Sequence, residues 1–411
     1  MLVPKTDLRA EGYTSRGSEQ AEPRHRTVAI ALSCAIVCVT SVPARAESDE
    51  GFGERARSPF SAEPAFRGIT IGPIESALHP DKGYGSEPFR TTLHEARRLG
   101  ATWVSLTPFG RVADLRPTGV SWTFEEKYEN NRKAVLRAIA QAHRMGLRVL
   151  LVPHLWVESG AWRGEIDPGD EAAWERWTAS YGAFLRGWAE VAREGRVDLL
   201  AVGVELRSWA TTTHAPSLVA LIREIRAVYP GPLTYAANWD DAADTVIWGE
   251  LDFLGVNAFF PLASEPGAGP DELLAGGRGV AENLRALSRS WGKPIVLTEF
   301  GYTTRPAPAV RPWEWPDRMA NVVVDEAAQA DAYEALLAPL IDETWLAGAF
   351  VWRLYADPDD VSQEAEWGFS PRGKRAELVL RDAYAARWAS DGPWTSGGAL
   401  FRRAAETPGV F

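Results

Sequence analysis

Thiols are nearly absent from this chain of 411 residues: the two cysteines, Cys34 and Cys38, both lie near the N-terminus. They fall inside a segment that reads as a removable export signal. The mature protein is therefore expected to hold neither a disulfide nor a cysteine-ligated metal. Histidine is also scarce, at six. Positive charge is in deficit, with 44 Lys and Arg against 55 Asp and Glu and a net charge of -11. Nucleic-acid binders usually carry a basic stripe, so that partner class is disfavoured while a neutral ligand is not. No G-x-G-x-x-G follows the first strand, so the dinucleotide-binding signature is missing. Long apolar runs are missing too. The segment TVAIALSCAIVCVTSVPA (27–44) is short and interrupted by Ser and Thr, and so makes no convincing membrane span.

That segment has another reading. Arg24-His25-Arg26 precedes it, and Ala44-Arg45-Ala46 places small residues at an A-x-A cleavage position. This is the layout of a secretory signal peptide. Residues 1–46 are expected to be the signal, and 47–65, rich in Glu, Ser, Arg and Pro, a flexible linker. A catalytic domain is expected over 66–390 and a C-terminal tail over 391–411. The protein is expected to be secreted or periplasmic, and a monomer. A lipoprotein attached through Cys34 is the weaker reading, because no Leu stands three residues before it.

Aromatic residues are abundant: 18 Trp, 15 Phe and 10 Tyr. Such a count suits a groove lined with flat rings, although about half of the rings are expected in the core. From Phe66 onward short apolar runs alternate with amphipathic segments. The runs are GITIG (68–72), TWVSLTPF (102–109), LRVLLVPHLW (147–156), LLAVGVEL (199–206), LTYAANW (233–239), DFLGVNAFF (252–260), PIVLTEFGY (294–302) and AGAFVWRLY (347–355). Between them, segments such as NRKAVLRAIAQAHRMG place apolar residues three and four apart, and Gly closes several of them. All-apolar strands separated by helices imply a parallel sheet covered on both sides. Eight such units predict an α/β fold, a (β/α)8 TIM barrel in a single catalytic domain. A doubly wound open sheet is the competitor, but it usually has fewer strands.

Chemistry in a barrel of this kind sits at the carboxyl ends of the strands. The third strand ends on His154 and Trp156, the fourth on Glu205, the fifth on Asn238 and Trp239. The sixth ends on Asn257, the seventh on Glu299, and the eighth on Trp352 and Arg353. An apolar strand that finishes on a carboxylate needs a reason, since an uncompensated buried charge is costly. Two glutamates across a barrel mouth suit glycoside hydrolysis, in which one protonates the leaving oxygen and the other attacks the anomeric carbon. The competing explanation is structural, with each Glu tied to an Arg such as Arg163 or Arg353. His154 could equally be a satisfied core histidine, and Trp162-Arg163 a packed pair. Trp313 and Trp315, in RPWEWPDR, could be sugar platforms or packing beneath a loop.

The segments PHLWVESGAWRGEI, VGVELRSW, YPGPLTYAANWD, DFLGVNAFFPL, VLTEFGYTT and WGFSPRGKRAELVL resemble the motifs of glycoside hydrolase family 113. That family is the mannan-cleaving branch of a large clan of retaining barrels, and the resemblance runs from about Phe66 to the last helix. It implies a β-1,4-mannan-type substrate, Glu205 as general acid/base and Glu299 as nucleophile, with no cofactor and no metal. It also implies that His154, Trp162, Arg163, Asn238 and Trp352 bind the sugar, Trp352 as an aromatic floor. Asn257 replaces the aromatic or His that many clan members carry on the sixth strand; it is expected to hydrogen-bond the substrate, the other reading being that it satisfies backbone groups. Much of the clan has an Asn before the acid/base. Here that position is Val204, as in family 113 itself. Val152 and Glu158 depart from the residues many members carry around the P-H pair, which leaves a different β-linked polysaccharide open. An ionised nucleophile is expected to need donors, from Arg or Asn, around Glu299, while Glu205 starts protonated. Two further readings remain: a metal-dependent barrel isomerase or hydrolase using His154, Glu205, Asn238 and Glu299, and a carbohydrate-binding barrel without catalysis. There is no H-x-H on the first strand to favour the metal.

Overall fold

Every apolar run named above becomes a strand in the computed structural model, which describes residues 65–72, 81–123, 126–314, 322–359 and 367–386. In chain order the strands are β1 Phe66–Gly72, β2 Trp103–Leu106, β3 Phe109–Val112, β4 Arg148–Leu151 and β5 His154–Val157. They continue with β6 Leu199–Val204, β7 Leu233–Asn238, β8 Leu254–Asn257, β9 Ile295–Phe300 and β10 Leu346–Tyr355. Eight of them close a barrel in the order β1-β10-β9-β8-β7-β6-β4-β2, and all the pairings are parallel. Residues on both faces of β6 and β9 are buried, which is why these strands read as unbroken apolar runs instead of alternating.

Two predicted strands are shorter in the barrel than the apolar runs suggest. The second run breaks at Pro108 and the third at Pro153, because a proline has no N–H to give to a central ladder. Beyond each proline the chain starts again as β3 and β5. These pair with one another as a separate two-stranded parallel ribbon, Phe109 opposite His154 and Arg111 opposite Trp156. His154 and Trp156 therefore stand on this ribbon, not on a barrel strand.

Helices cover the outside. The helix Glu171–Gly195 begins at Asp170, whose carboxylate accepts from the Ala173 N–H at 2.8 Å. Trp174, Trp177, Tyr181, Phe184, Leu185 and Trp188 recur at helical spacing and are buried together. Much of the aromatic content is thus core, with Trp177, Trp188, Trp209 and Trp248 wholly enclosed. Closure of the barrel joins β1 to β10 at close range: a Cβ on Gly68 would lie 2.2 Å from the Phe350 ring. The last helix, Arg375–Ala386, ties to the first strand through Tyr384, whose hydroxyl donates to the Gly68 carbonyl at 2.6 Å. Among the described residues no helix is long and apolar enough to cross a membrane. The segments 1–46, 47–64 and 391–411, with the signal and tail expected there, lie outside the described residues.

Candidate active site

Glu205 follows β6 directly and has left the ladder's conformation, with φ at +52°. A non-glycine residue in this left-handed region costs about 1 kcal/mol or more, and such strain gathers at functional sites. The surrounding backbone holds the turn in place: the Glu205 N–H donates to the Ala236 carbonyl at 2.7 Å, and the Leu206 N–H to the Tyr235 hydroxyl at 2.7 Å. The result aims the carboxylate into the barrel mouth, only 7% exposed. One oxygen, Oε2, accepts from the Trp162 indole at 2.9 Å and from Arg163 at 2.6 Å. The other, Oε1, accepts from the Asn257 amide at 2.8 Å.

Glu299 stands on β9, opposite Asn257 of β8 in the ladder, and is 6% exposed. Among the described residues the one hydrogen-bond partner of its carboxylate is His154, whose Nε2 lies 3.2 Å from Oε1. Burial pushes the Glu299 pKa well above the ordinary carboxylate value, and the nearby negative charge of Glu205 adds to the shift. Arg163 and Arg353 oppose it. His154 is pushed the other way, well below the usual imidazole value, by burial and by the same two arginines. It is therefore neutral near pH 7. Its Nδ1 is buried and has no partner. The arginine and asparagine donors expected around Glu299 are thus found on Glu205.

The other expected residues divide into those at the site and those beside it. Trp162 and Arg163 hold Glu205, so the Glu205–Arg163 ion pair of the structural reading is real. Asn257 has no exposed surface, and its amide is engaged by Glu205 and by the Thr298 hydroxyl at 2.9 Å. That is a correction to its expected contact with sugar, because a side chain enclosed on all sides can only set the position of Glu205. Asn238 stands at the end of β7 but donates to Asp240 at 2.7 Å, turned toward the rim. Trp352 lies near His154, with ring centroids 6.3 Å apart. Arg353 stacks on Trp352 at 4.8 Å and bonds the Tyr355 hydroxyl, not a glutamate. Trp313 is 44% exposed and stacks on Trp239 at 5.3 Å. Trp315 lies outside the described residues.

Sequence reasoning missed a clamp around Trp162. The Arg207 guanidinium lies 4.4 Å over the Trp162 ring, and Gly164 sits beneath it, where a Cβ would come within 2.3 Å of the indole. Arg207 is held in turn by Asp240 and by Asp241, the latter at 3.1 Å. The only sequence signal was that these residues follow strand ends. Asp241 is 3% exposed, and burial raises its pKa to about 7 against the pull of Arg207. The sign of the linkage follows from that rise. In the unfolded chain the carboxyl ionises near its ordinary 3.8, whereas the folded protein keeps the proton up to about 7. Stability from this group is complete below pH 3.8 and is lost as pH rises through about 7. Asp241→Asn has no such proton to lose. Its melting temperature relative to the wild type should climb between pH 4 and pH 8, by the equivalent of roughly 4 kcal/mol. Calorimetry across that range checks this, and a constant gap would refute it.

Among the described residues no group of three or more His, Cys, Asp or Glu side chains is placed to hold a metal ion. Moreover, both Glu205 oxygens already face N–H donors, an arrangement that satisfies an anion instead of offering it to a cation.

A closed parallel barrel with two buried glutamates at its carboxyl rim, flanked by indoles, is the frame of a barrel glycoside hydrolase. The model of Glycoside Hydrolase Family 113 matches residues 79–374, and the chain belongs to that family as an O-glycosyl hydrolase. Among solved structures it is similar to the family 113 β-mannanase AaManA from Alicyclobacillus acidocaldarius in complex with ManMIm, at 24% identity and a TM-score of 0.69, covering 80% of this chain and 99% of that one. A second family 113 β-1,4-mannanase matches at 21% identity and a TM-score of 0.67, over 79% of this chain and 100% of that one. A β-glucuronidase from Faecalibacterium prausnitzii matches more distantly, at 15% identity and a TM-score of 0.51, over 78% of this chain but 49% of its own. No curated protein sequence matches the chain.

Proposed function

We propose that this glycoside hydrolase cleaves β-1,4-linked mannan with retention of anomeric configuration, using Glu205 as general acid/base and Glu299 as nucleophile. The observation that carries the reading is the electrostatic asymmetry of two buried glutamates on opposite sides of Asn257. The likeness to two family 113 β-mannanases supports the choice of substrate class. A retaining site needs its carboxyls about 5–5.5 Å apart, close enough for each charge to act on the other.

In the empty site burial favours a proton on Glu299. Catalysis needs it on Glu205. The substrate supplies the bias, because positive charge developing at the anomeric carbon beside Glu299 stabilises the ionised form there. Neutral His154 then donates through Nε2 to the carboxylate it touches. Arg163, Trp162 and Asn257 fix the position of Glu205 throughout, and Trp352 provides a flat apolar face beside the reacting sugar. After the first step the glycosyl ester has removed the charge of Glu299, so Glu205 can act as base toward water.

The test is a single set of assays on purified protein. Mannan, glucomannan, xylan and β-glucan oligosaccharides are offered with and without a strong chelator, and NMR follows the anomer first released. The expected result is a preference for mannan, indifference to the chelator and β product. Initial release of α product would overturn the mechanism, and a preference for xylan or glucan would overturn the substrate. We further read residues 1–46 as an export signal acting on a monomeric secreted or periplasmic enzyme.

A further inference from the structure

The two-stranded ribbon outside the barrel presents a face of which the catalytic chemistry uses only the His154 end. Side chains alternate along a strand, so His154, Trp156 and the following Glu158 point the same way on one strand. Phe109 and Arg111 do so on the other. The contacts agree: the Phe109 and His154 rings lie 4.8 Å apart, and Arg111 pairs with Glu158 at 3.1 Å across the ribbon. This face begins at the catalytic centre, where His154 touches Glu299 and neighbours Trp352. It then runs outward. Trp156 lies two residues on, roughly 7 Å farther along the strand. Its indole is 43% exposed although the residues on either side of it are buried. Alongside lies a cleft of about 400 Å³ lined by Arg111, Gly119, Ser121, Thr123 and Glu158.

We infer that this face is a distal sugar subsite, in which Trp156 stacks against a pyranose ring of the substrate and the Arg111–Glu158 pair hydrogen-bonds its hydroxyls. Several features select a sugar over another occupant. The ring face of a pyranose is lined with C–H groups and packs on an indole, while its edge carries hydroxyls that both donate and accept. Arg111 offers only donors and Glu158 only acceptors, with Ser121 and Thr123 able to do either. The cleft is within the size range of ligand sites, and it shares Arg111 and Glu158 with the face that leads out from His154. The inference rests on the reading of the enzyme as a mannan hydrolase, and it adds that the enzyme grips the chain at a distance from the bond it cuts. Binding energy from such a remote contact can be used at the reacting centre, so longer substrates should react faster.

The experiment separates this inference from the reading beneath it. The kcat/KM of wild type, Trp156→Ala and Glu158→Ala is measured on β-1,4-manno-oligosaccharides from the trisaccharide to the hexasaccharide. In the wild type the value should rise with chain length. In Trp156→Ala the ratio of longest to shortest should fall about tenfold, and in Glu158→Ala it should fall in the same direction by less. Binding is read separately by calorimetry in a Glu299→Ala background, with mannohexaose, cellohexaose and xylohexaose as probes. Adding Trp156→Ala should weaken the tightest probe about tenfold. An equal loss at every length, or an unchanged ratio with unchanged binding, would overturn the subsite. If cellohexaose or xylohexaose binds tightest and mannan is not cut, the substrate reading fails while a Trp156-dependent loss upholds the subsite.

Discussion

Glu299→Ala should lose about 10⁴-fold or more in kcat on every substrate, activated or natural, because no other carboxylate can form the glycosyl ester. His154 cannot substitute. It is neutral and is already turned toward the position Glu299 leaves. Azide entering the vacated space should attack an activated β-aryl mannoside from the face opposite the leaving group and give the α-glycosyl azide. The same residue should show a gain of the opposite kind in stability. Its pKa is raised, so the unfolded chain ionises first as pH climbs above 4.5, and folding becomes less favourable until the raised value is passed. Glu299→Gln keeps the shape and removes that burden. Its melting temperature should exceed the wild type's at pH 7 and match it at pH 4, while hydrolysis is lost. A variant that keeps 1% or more of the activity, or melts lower at pH 7, would deny Glu299 its assigned role.

Glu205→Ala should divide substrates according to their leaving groups. On mannan, where the departing alkoxide needs a proton, kcat should fall about 10²–10⁴-fold, the usual worth of a general acid/base. On an aryl mannoside with a good anionic leaving group the first step should be nearly spared. The second step would then limit, because water lacks its base, and glycosyl-enzyme should accumulate as a burst. Azide needs no base and should restore turnover, giving the β-glycosyl azide, the anomer opposite to that from Glu299→Ala. The pair of azide products therefore assigns both glutamates. Equal losses on activated and natural substrates, with no rescue in either variant, would leave the two carboxylates as structural charges.

The barrel was readable because a strand buried on both faces must be apolar at every position, and eight such runs left little choice of architecture. The interruptions were written in the sequence as well. Pro108 and Pro153 stand inside the two runs that split, and a proline in a central ladder is a reason to end it. Both glutamates were legible as charges at the ends of apolar strands. Their environments were not. Glu205 receives its donors from Trp162, Arg163 and Asn257, on a loop after one strand and on another strand some fifty residues away. Nothing local tells which glutamate the arginine will reach. The left-handed turn at Glu205 is equally silent, since glutamate has no preference for that conformation that would mark it. Asp241 looked like any acid in a loop until its enclosure was seen.

The seam between β1 and β10 decides when in its synthesis the enzyme can come into being. Phe66 takes Gly348 as its partner, and Tyr384 reaches back to Gly68. A chain growing from its N-terminus makes both glutamates well before it makes the strand that closes the cylinder. Until then β1 is a bare sheet edge, open to the wrong neighbour, and the indole of Trp352 does not yet exist. Closing a loop of that length is slow, so the nascent polypeptide must be kept from aggregating while it waits. A product cut short before Leu346 should have no fraction of the activity, however many catalytic residues it contains.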